Sequence, residues 1–391
     1  MDNFTFCSPT FFVFGKDTEL QTGDCVAKFG GKKVLILFGE GSVIRSGLLY
    51  RIKESLVKNG ISFVSLGGVK PNPRSGLVYE GIDLCRRENV DFILAVGGGS
   101  VIDSAKAIAA GTLYDGDFWD FHRGKPIEMA LPIGSVLTIA AAGSEGSRNA
   151  AITREDGMYK RGASGEAIRP KFSILNPALT QTLPPYQTAA GITDIIAHLY
   201  ERYLTNTKEV EVTDRLIEAL LLTMKHEGPR VIADPNNYEA RANIMWAGMM
   251  AHNDSCGVGR TQDWLSHKIE HELSAMYDCT HGAGLAVTMP AVFTYVMNHD
   301  VMRFAQVATR VWGCQMDFYH PEIAARAGIE ELRRFLINIG MPKNFEEIGA
   351  KEEDIPKLVD VLCNGDVRNG SITGFVELNK DDCTKIYRLM I

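Results

Sequence analysis

Between residues 30 and 180, short apolar runs that stop at glycine alternate with segments of helical period. This alternation restricts the fold more than any other feature of the chain. "KKVLILFG" (32–39), "ISFVSLGGV" (61–69), "VDFILAVGGGS" (90–100) and "PIGSVLTIA" (132–140) have the length and apolar continuity of strands buried on both faces. "SGLLYRIKESLVKNG" (46–60) and "SGLVYEGIDLCRREN" (75–89) lie between them with helical period. Strands that alternate with helices predict a parallel sheet covered on both sides. After "NPALTQTLPP" (176–185) the pattern changes, and Pro184 and Pro185 sit where a helix could begin. From there to about residue 345 long helical patterns dominate, among them "YQTAAGITDIIAHLYERYL" and "EVTDRLIEALLLTMKHEG". A single core rarely grows past ~250–300 residues, so a chain of 391 residues is expected to form two domains. They are a parallel-sheet α/β domain over 1–182 and an all-helical domain over 183–391.

Composition excludes several classes. The net charge is −7 and no Lys/Arg-rich run occurs, which argues against a nucleic-acid partner. The N-terminus lacks a basic segment followed by an apolar one, and no apolar run is long enough to span a membrane. The eight cysteines include no Cys-x-x-Cys pair and are expected to be reduced and structural, including Cys256 and Cys279 beside the histidine-rich segment described below. A cytoplasmic location is the expectation.

"ILAVGGGSVIDSAKAIA" sets three glycines after a strand and before a helix. A helix start carries unpartnered N–H groups and about half a positive charge, and glycine lets a diphosphate approach the backbone. Gly97, Gly98, Gly99 and Ser100 could hold that group, with Asp103 one turn in. The alternative is a tight turn without a ligand, and the Gly-x-Gly-x-x-Gly fingerprint is absent. At the end of the first strand, "FGEGSV" (38–43) offers Gly39, Gly41 and Ser42 to a phosphate. Glu40 between them would favour NAD if it points inward.

Nine histidines occur in the chain, and four of them fall between 252 and 281. His267 and His271 share a helix face. Pairs at this spacing chelate metals, and they also occur as surface or satisfied core. Asp194 and His198 are likewise four apart and interrupt an apolar face, where a buried carboxylate is costly unless paired or metal-bound. Two helices could thus present Asp194, His198 and His267, with His281 from a glycine-containing loop as a fourth ligand. Three imidazoles and one carboxylate suit Fe²⁺ or Zn²⁺ better than Mg²⁺ or Ca²⁺. His122, His226, His299 and His320 read as surface, and His252 is open between lining the site and not.

Several ordered segments now resemble one family. "PNP" (71–73), "AVGGGSVIDSAKAIA" (95–109), "GSE" (143–145), "LNPALTQTLPP" (175–185), "DIIAHLYE" (194–201) and "HKIEHELSAMYDCTHGAGLAV" (267–287) are similar to those of the iron-containing (group III) alcohol dehydrogenases. The whole, with "FVELNKDDCTKIYRLM" near the C-terminus, most resembles the branch of butanol dehydrogenases and NADPH-dependent aldehyde reductases. The resemblance implies a Rossmann-like, dinucleotide-binding N-terminal domain in a dehydroquinate synthase-like architecture, and a metal held by Asp194, His198, His267 and His281. It places His271 near the nicotinamide and outside the ligand set, and the proton could travel through His271, water or a ribose hydroxyl. It carries cofactor contacts to Gly39, Ser42, Asn72, Gly98, Gly99, Ser100, Asp103, Thr138, Lys160 and Leu179. NAD-preferring relatives place an aspartate where Gly39 stands, so the resemblance favours NADP(H) over NAD(H). Departures at Ile139 to Ala142, at Ser147 and at Asn176-Pro177 bear on the cofactor grip and leave the metal positions untouched.

The expected function is reversible hydride transfer between NAD(P)H and a primary alcohol/aldehyde pair, with a divalent metal, Fe²⁺ before Zn²⁺, as Lewis acid. A homodimer or larger homo-oligomer is expected from the same resemblance. Rival readings are a glycerol dehydrogenase-like polyol oxidase, a dehydroquinate synthase-like lyase, and a metallohydrolase.

Overall fold

The computed structural model describes residues 1–365 and 369–391. Residues Cys7–Thr182 form one compact unit, and Met1–Phe6 with Leu183–Ile391 form a second.

The first unit contains strands β1 (Phe11–Phe14), β2 (Lys33–Gly39), β3 (Ser62–Val69), β4 (Phe92–Gly97), β5 (Ile133–Leu137), β6 (Asn149–Arg154), β7 (Tyr159–Ser164) and β8 (Phe172–Leu175). Six of them make a parallel sheet in the order β1-β8-β5-β4-β2-β3. Every residue of β4 and β5 is buried, as both-sided helical cover requires. Val34, Ile36, Ile52, Leu56, Phe92 and Phe172 belong to the core cluster, each contributing roughly 1.5–3 kcal/mol by leaving water. Strand β2 pairs with β3 on one side and β4 on the other, so the strand order reverses there. Ligands of such sheets bind outside the carboxyl ends of the strands at the reversal. The register Phe38↔Val96 and Gly97↔Leu137 sets the ends of β2, β4 and β5 side by side.

Strands β6 and β7 form an antiparallel hairpin that the alternating pattern did not anticipate. Its turn passes through Gly157 and Met158 at φ +84° and +52°. The "EDG" before Met158 is a local turn signal that the longer periodicities mask.

The second unit is built from the helices Pro185–Tyr203, Glu211–Ala233, Tyr238–His252, Leu265–Tyr277, His281–Val296, Val301–Val307, Pro321–Asn338, Ile355–Asn364 and Lys380–Arg388. The Pro185–Tyr203 helix opens with proline in its first turn and is buried at every position from Thr188 to Tyr203. The unit is largely, not wholly, helical. A short antiparallel ribbon, β9 (Ser371–Thr373) with β10 (Glu377–Asn379), departs from the all-helical expectation. Strands of three residues are too short to show a period of two in sequence. The first six residues pack with this unit and not with the α/β unit. The Asp2 N–H donates to the Gly259 carbonyl at 2.9 Å, and the Met1 ammonium to that of Lys208 at 2.9 Å. No helix among the described residues is long and apolar enough to cross a membrane.

Candidate metal centre and nucleotide cradle

In the α/β unit the glycines after β4 are hemmed in. A Cβ on Gly97 would lie 2.4 Å from Val101 Cγ2, and one on Gly98 would lie 2.1 Å from Ile139 Cγ2. Part of the three-glycine signal is thus close packing of the strand end against the 139–142 segment. The same packing leaves bare backbone at the start of the Gly99–Thr112 helix, where Gly98, Gly99 and Ser100 are partly exposed. Thr138 closes the turn by donating its N–H to the Gly97 carbonyl at 3.1 Å. Gly39 ends β2 with only Val69 O near its missing Cβ, at 3.4 Å, and Glu40 and Ser42 are exposed. Arg45 lies over Gly41, with its guanidinium 2.9 Å from where a Cβ would stand.

Lys160 is buried in the hairpin and donates to Asn72 Oδ1 at 2.9 Å, so these two candidate residues meet. Leu179 packs against the core. Asp103 is engaged in holding the chain that follows β5. It accepts from Ser144 Oγ at 2.6 Å and from the Ala151 N–H at 2.9 Å. Lys106, which sequence reasoning missed, is buried beside it and donates to the carbonyls of Ser144, Ser147 and Asn149. Burial pulls its ammonium down to about 8, opposed by Asp103 and Glu145. A lysine three residues past an aspartate reads as a solvated helix pair; only the depth of this helix in the fold reveals its task.

In the helical unit Asp194, His267 and His281 offer ligand atoms within 4.8 Å of one another. Asp194 Oδ1 is the focus. It lies 3.1 Å from His198 Nδ1, 3.5 Å from His267 Nε2 and 3.8 Å from His281 Nε2. Asp194 Oδ1 and His267 Nε2 are buried and make no hydrogen bond in acceptable geometry. Two orphaned buried donor atoms facing each other are what a bound cation resolves, and an N/O set of this kind fits Fe²⁺ or Zn²⁺. His198 stands outside the three-residue group. Its Nδ1 meets the Asp194 carbonyl at 2.8 Å, and its ring centroid is 4.5 Å from that of His267. His271 is partly buried and groups with Glu270 and His281, its ring 5.8 Å from that of His281. His252 is buried with its ring 4.2 Å from that of His198. His122, expected on the surface, is buried in the other unit, where Nδ1 lies 2.9 Å from the Arg161 carbonyl. Its ring stacks on Trp119, a contact across three residues that sequence does not disclose.

Two glycines let His281 reach this place. A Cβ on Gly282 would stand 2.0 Å from the Ala190 carbonyl oxygen, so glycine allows the His281–Val296 helix to press on the helix that carries Asp194. A Cβ on Gly284 would stand 2.6 Å from Glu270 Oε1. Trp264, at φ +68°, holds its indole against His198 and His267, at ring distances of 5.8 and 5.4 Å. That conformation is strained for a bulky residue.

The electrostatics fit the geometry. Burial raises the Asp194 carboxyl, but His198 and His281 outweigh it and hold it well below the usual range. Burial also disfavours the His267 imidazolium, yet Glu201 and Asp194 push that ring up to about 10 from an ordinary 6.5. His198 moves the other way, lowered chiefly by burial. A metal takes only the neutral imidazole, so in metal-stripped protein near neutral pH an incoming ion must displace the His267 proton. Metal affinity should therefore rise with pH until the ring's value of about 10 is passed, with about one proton released per ion. Titration calorimetry in buffers of different ionisation enthalpy counts that proton, and binding with no proton release at neutral pH would contradict the assignment.

Comparison with known proteins places the chain in its class. The model for iron-containing alcohol dehydrogenase matches residues 9–177, and that for the C-terminal part of the Fe-containing alcohol dehydrogenase family matches residues 188–391. The chain belongs to this family of NAD(P)- and divalent metal-dependent oxidoreductases. Within the family it is 41% identical to NADH-dependent butanol dehydrogenase B of Clostridium acetobutylicum, over 99% of both chains. It is 35% identical to the NADPH-dependent aldehyde reductase YqhD of Escherichia coli, over 93% of both. The crystal structure of NADH-dependent butanol dehydrogenase A from Thermotoga maritima superposes with a TM-score of 0.96 at 40% identity, covering 100% of this chain and 99% of the other.

Proposed function

We propose that this protein catalyses reversible hydride transfer between NADP(H) and a short primary alcohol/aldehyde pair, in the manner of a butanol dehydrogenase. The observation that carries the reading is the convergence on Asp194 Oδ1 of imidazoles from three helices, with two buried atoms there lacking hydrogen bonds. Asp194, His198, His267 and His281 would hold a divalent ion, Fe²⁺ before Zn²⁺. That ion supplies a Lewis acid for the substrate oxygen, and the reduced nicotinamide supplies the hydride.

The chain's own side chains do the rest. His271, partly exposed beside His281, exchanges a proton between the site and solvent. The Trp264 indole, beside His198 and His252, offers an apolar aromatic face that would suit a short alkyl chain. In the α/β unit Gly98, Gly99 and Ser100 offer backbone to the diphosphate. Thr138, Asn72, Lys160, Asp103 and Leu179 shape the turn and its surroundings. Gly39 and Ser42 leave room at the end of β2, and Arg45 beside Gly41 is a basic partner for a 2′-phosphate, which supports NADP(H). Edge strand β1 carries Phe11 and Phe14 at 43% and 40% exposure, an apolar edge that supports a homo-oligomer. The location is read as cytoplasmic.

The test is loss of reduced-nicotinamide absorbance with butanal and other short aldehydes, in iron-loaded, zinc-loaded and metal-stripped protein, with NADPH and NADH in parallel. Turnover with NADPH in loaded protein is expected; no oxidation of either cofactor with any aldehyde would sink the proposal. In the same assay Gly39→Asp should shift the NADPH/NADH ratio of kcat/KM toward NADH by about tenfold or more, because a carboxylate there repels the 2′-phosphate.

A further inference from the structure

Two buried glutamates stand behind the histidines of this centre. Glu201 and Glu270 are both 0% exposed. Glu201 uses one oxygen to accept the backbone N–H of His267 at 2.9 Å and the other to meet His267 Nδ1 at 2.5 Å. Glu270 meets His281 Nδ1 with one oxygen and accepts from Ser274 Oγ with the other. On each ring the opposite nitrogen, Nε2, turns toward Asp194. The arrangement is the same twice over, from different helices: carboxylate, imidazole, Asp194. Gly284 leaves the space that the Glu270 carboxylate fills.

We propose that Glu201 and Glu270 are positioning residues for the metal, each fixing one histidine with its proton on Nδ1 so that the Nε2 lone pairs of His267 and His281 converge. A carboxylate only accepts hydrogen bonds, so an imidazole nitrogen facing it must be the protonated one. The lone pair then falls on Nε2, and the buried negative charge makes that nitrogen a stronger donor to a cation. A buried carboxylate against a neutral ring costs free energy, and a divalent ion one ring-width away offsets it. The inference rests on the metal-dependent reading above and adds to it the residues that orient the ligands.

The experiment measures Co²⁺ binding to metal-stripped full-length protein by competition with a chromophoric chelator, together with the visible absorption of the Co²⁺ form. Glu201→Gln leaves one of two N–H donors without an acceptor. In Glu270→Gln the Ser274 hydroxyl can turn to accept from the amide, so that variant removes little but charge. Co²⁺ affinity is expected to fall by about 10- to 100-fold in Glu201→Gln, and by about tenfold in Glu270→Gln. The Co²⁺ bands should move in both. Glu218→Gln, which removes another buried carboxylate of the same unit that serves Tyr203, Arg215 and Arg310, should leave Co²⁺ affinity unchanged. Circular dichroism of the metal-free proteins checks folding, and if Glu201→Gln does not fold, Glu270→Gln decides. Binding within twofold of the parent with unmoved bands in the folded variants would overturn the proposal. Failure of the parent protein to take up Co²⁺ would instead overturn the metal reading on which it rests.

Discussion

Asp194→Ala should bind no stoichiometric metal and should lose about a thousandfold or more in kcat/KM, since a Lewis-acid ion is worth several kcal/mol and each 1.36 kcal/mol is tenfold in rate. The side chain is the single point on which His198, His267 and His281 converge. Its removal takes away the only carboxylate of the proposed ligand set and leaves three imidazoles facing one another. The helix itself should survive, because alanine is a better helix former than aspartate and Glu201 still faces the His267 ring. Metal content by elemental analysis, activity with butanal and NADPH, and circular dichroism separate these effects. A folded Asp194→Ala protein with full metal content and near-parental rates would show that the ion, if any, sits elsewhere.

Gly282→Ala should be the most damaging single methyl group in the helical unit. The new Cβ would meet three backbone atoms of Ala190, its O, C and Cα at 2.0, 2.6 and 2.8 Å. Backbone cannot step aside as a side chain does, so the two helices must separate. Overpacking typically costs about 1–3 kcal/mol, and backbone contact on this scale belongs at or above the upper end. His281 starts the displaced helix, so metal affinity should fall along with the melting temperature. Gly162→Ala, whose Cβ would meet only Ala150 O at 3.9 Å, is the control and should change stability by less than about 0.5 kcal/mol. Equal melting temperatures for the two variants would refute the close-approach argument.

The α/β unit was legible because a strand buried on both faces must be continuously apolar, as 34–38 and 92–96 are. The helical character of the second unit was legible for a similar reason: 3.6-residue periodicity persists over nineteen residues in Pro185–Tyr203. What escaped was short or long-range. Ribbon β9–β10 spends three residues per strand. The N-terminal residues dock through hydrogen bonds to residues more than two hundred positions away. At the site, the rarity of histidine and the misplaced charge of Asp194 on an apolar face drew attention to residues the fold does bring together. Glu201 and Glu270 gave no such signal. Each lies three residues after a histidine on its helix, which is also the ordinary spacing of a solvated polar face. Only burial separates those meanings.

The helix that is enclosed from Thr188 to Tyr203 has no wet side. Its carboxylate and imidazole are anchored as deeply as the hydrocarbon around them, and they cannot swing outward to meet or release an ion. His281, at 24% side-chain exposure against 5% for Asp194, is the most exposed of the four proposed ligands. Loading of the proposed ion is therefore expected from the His281 side, with Asp194 and His198 as the fixed inner wall.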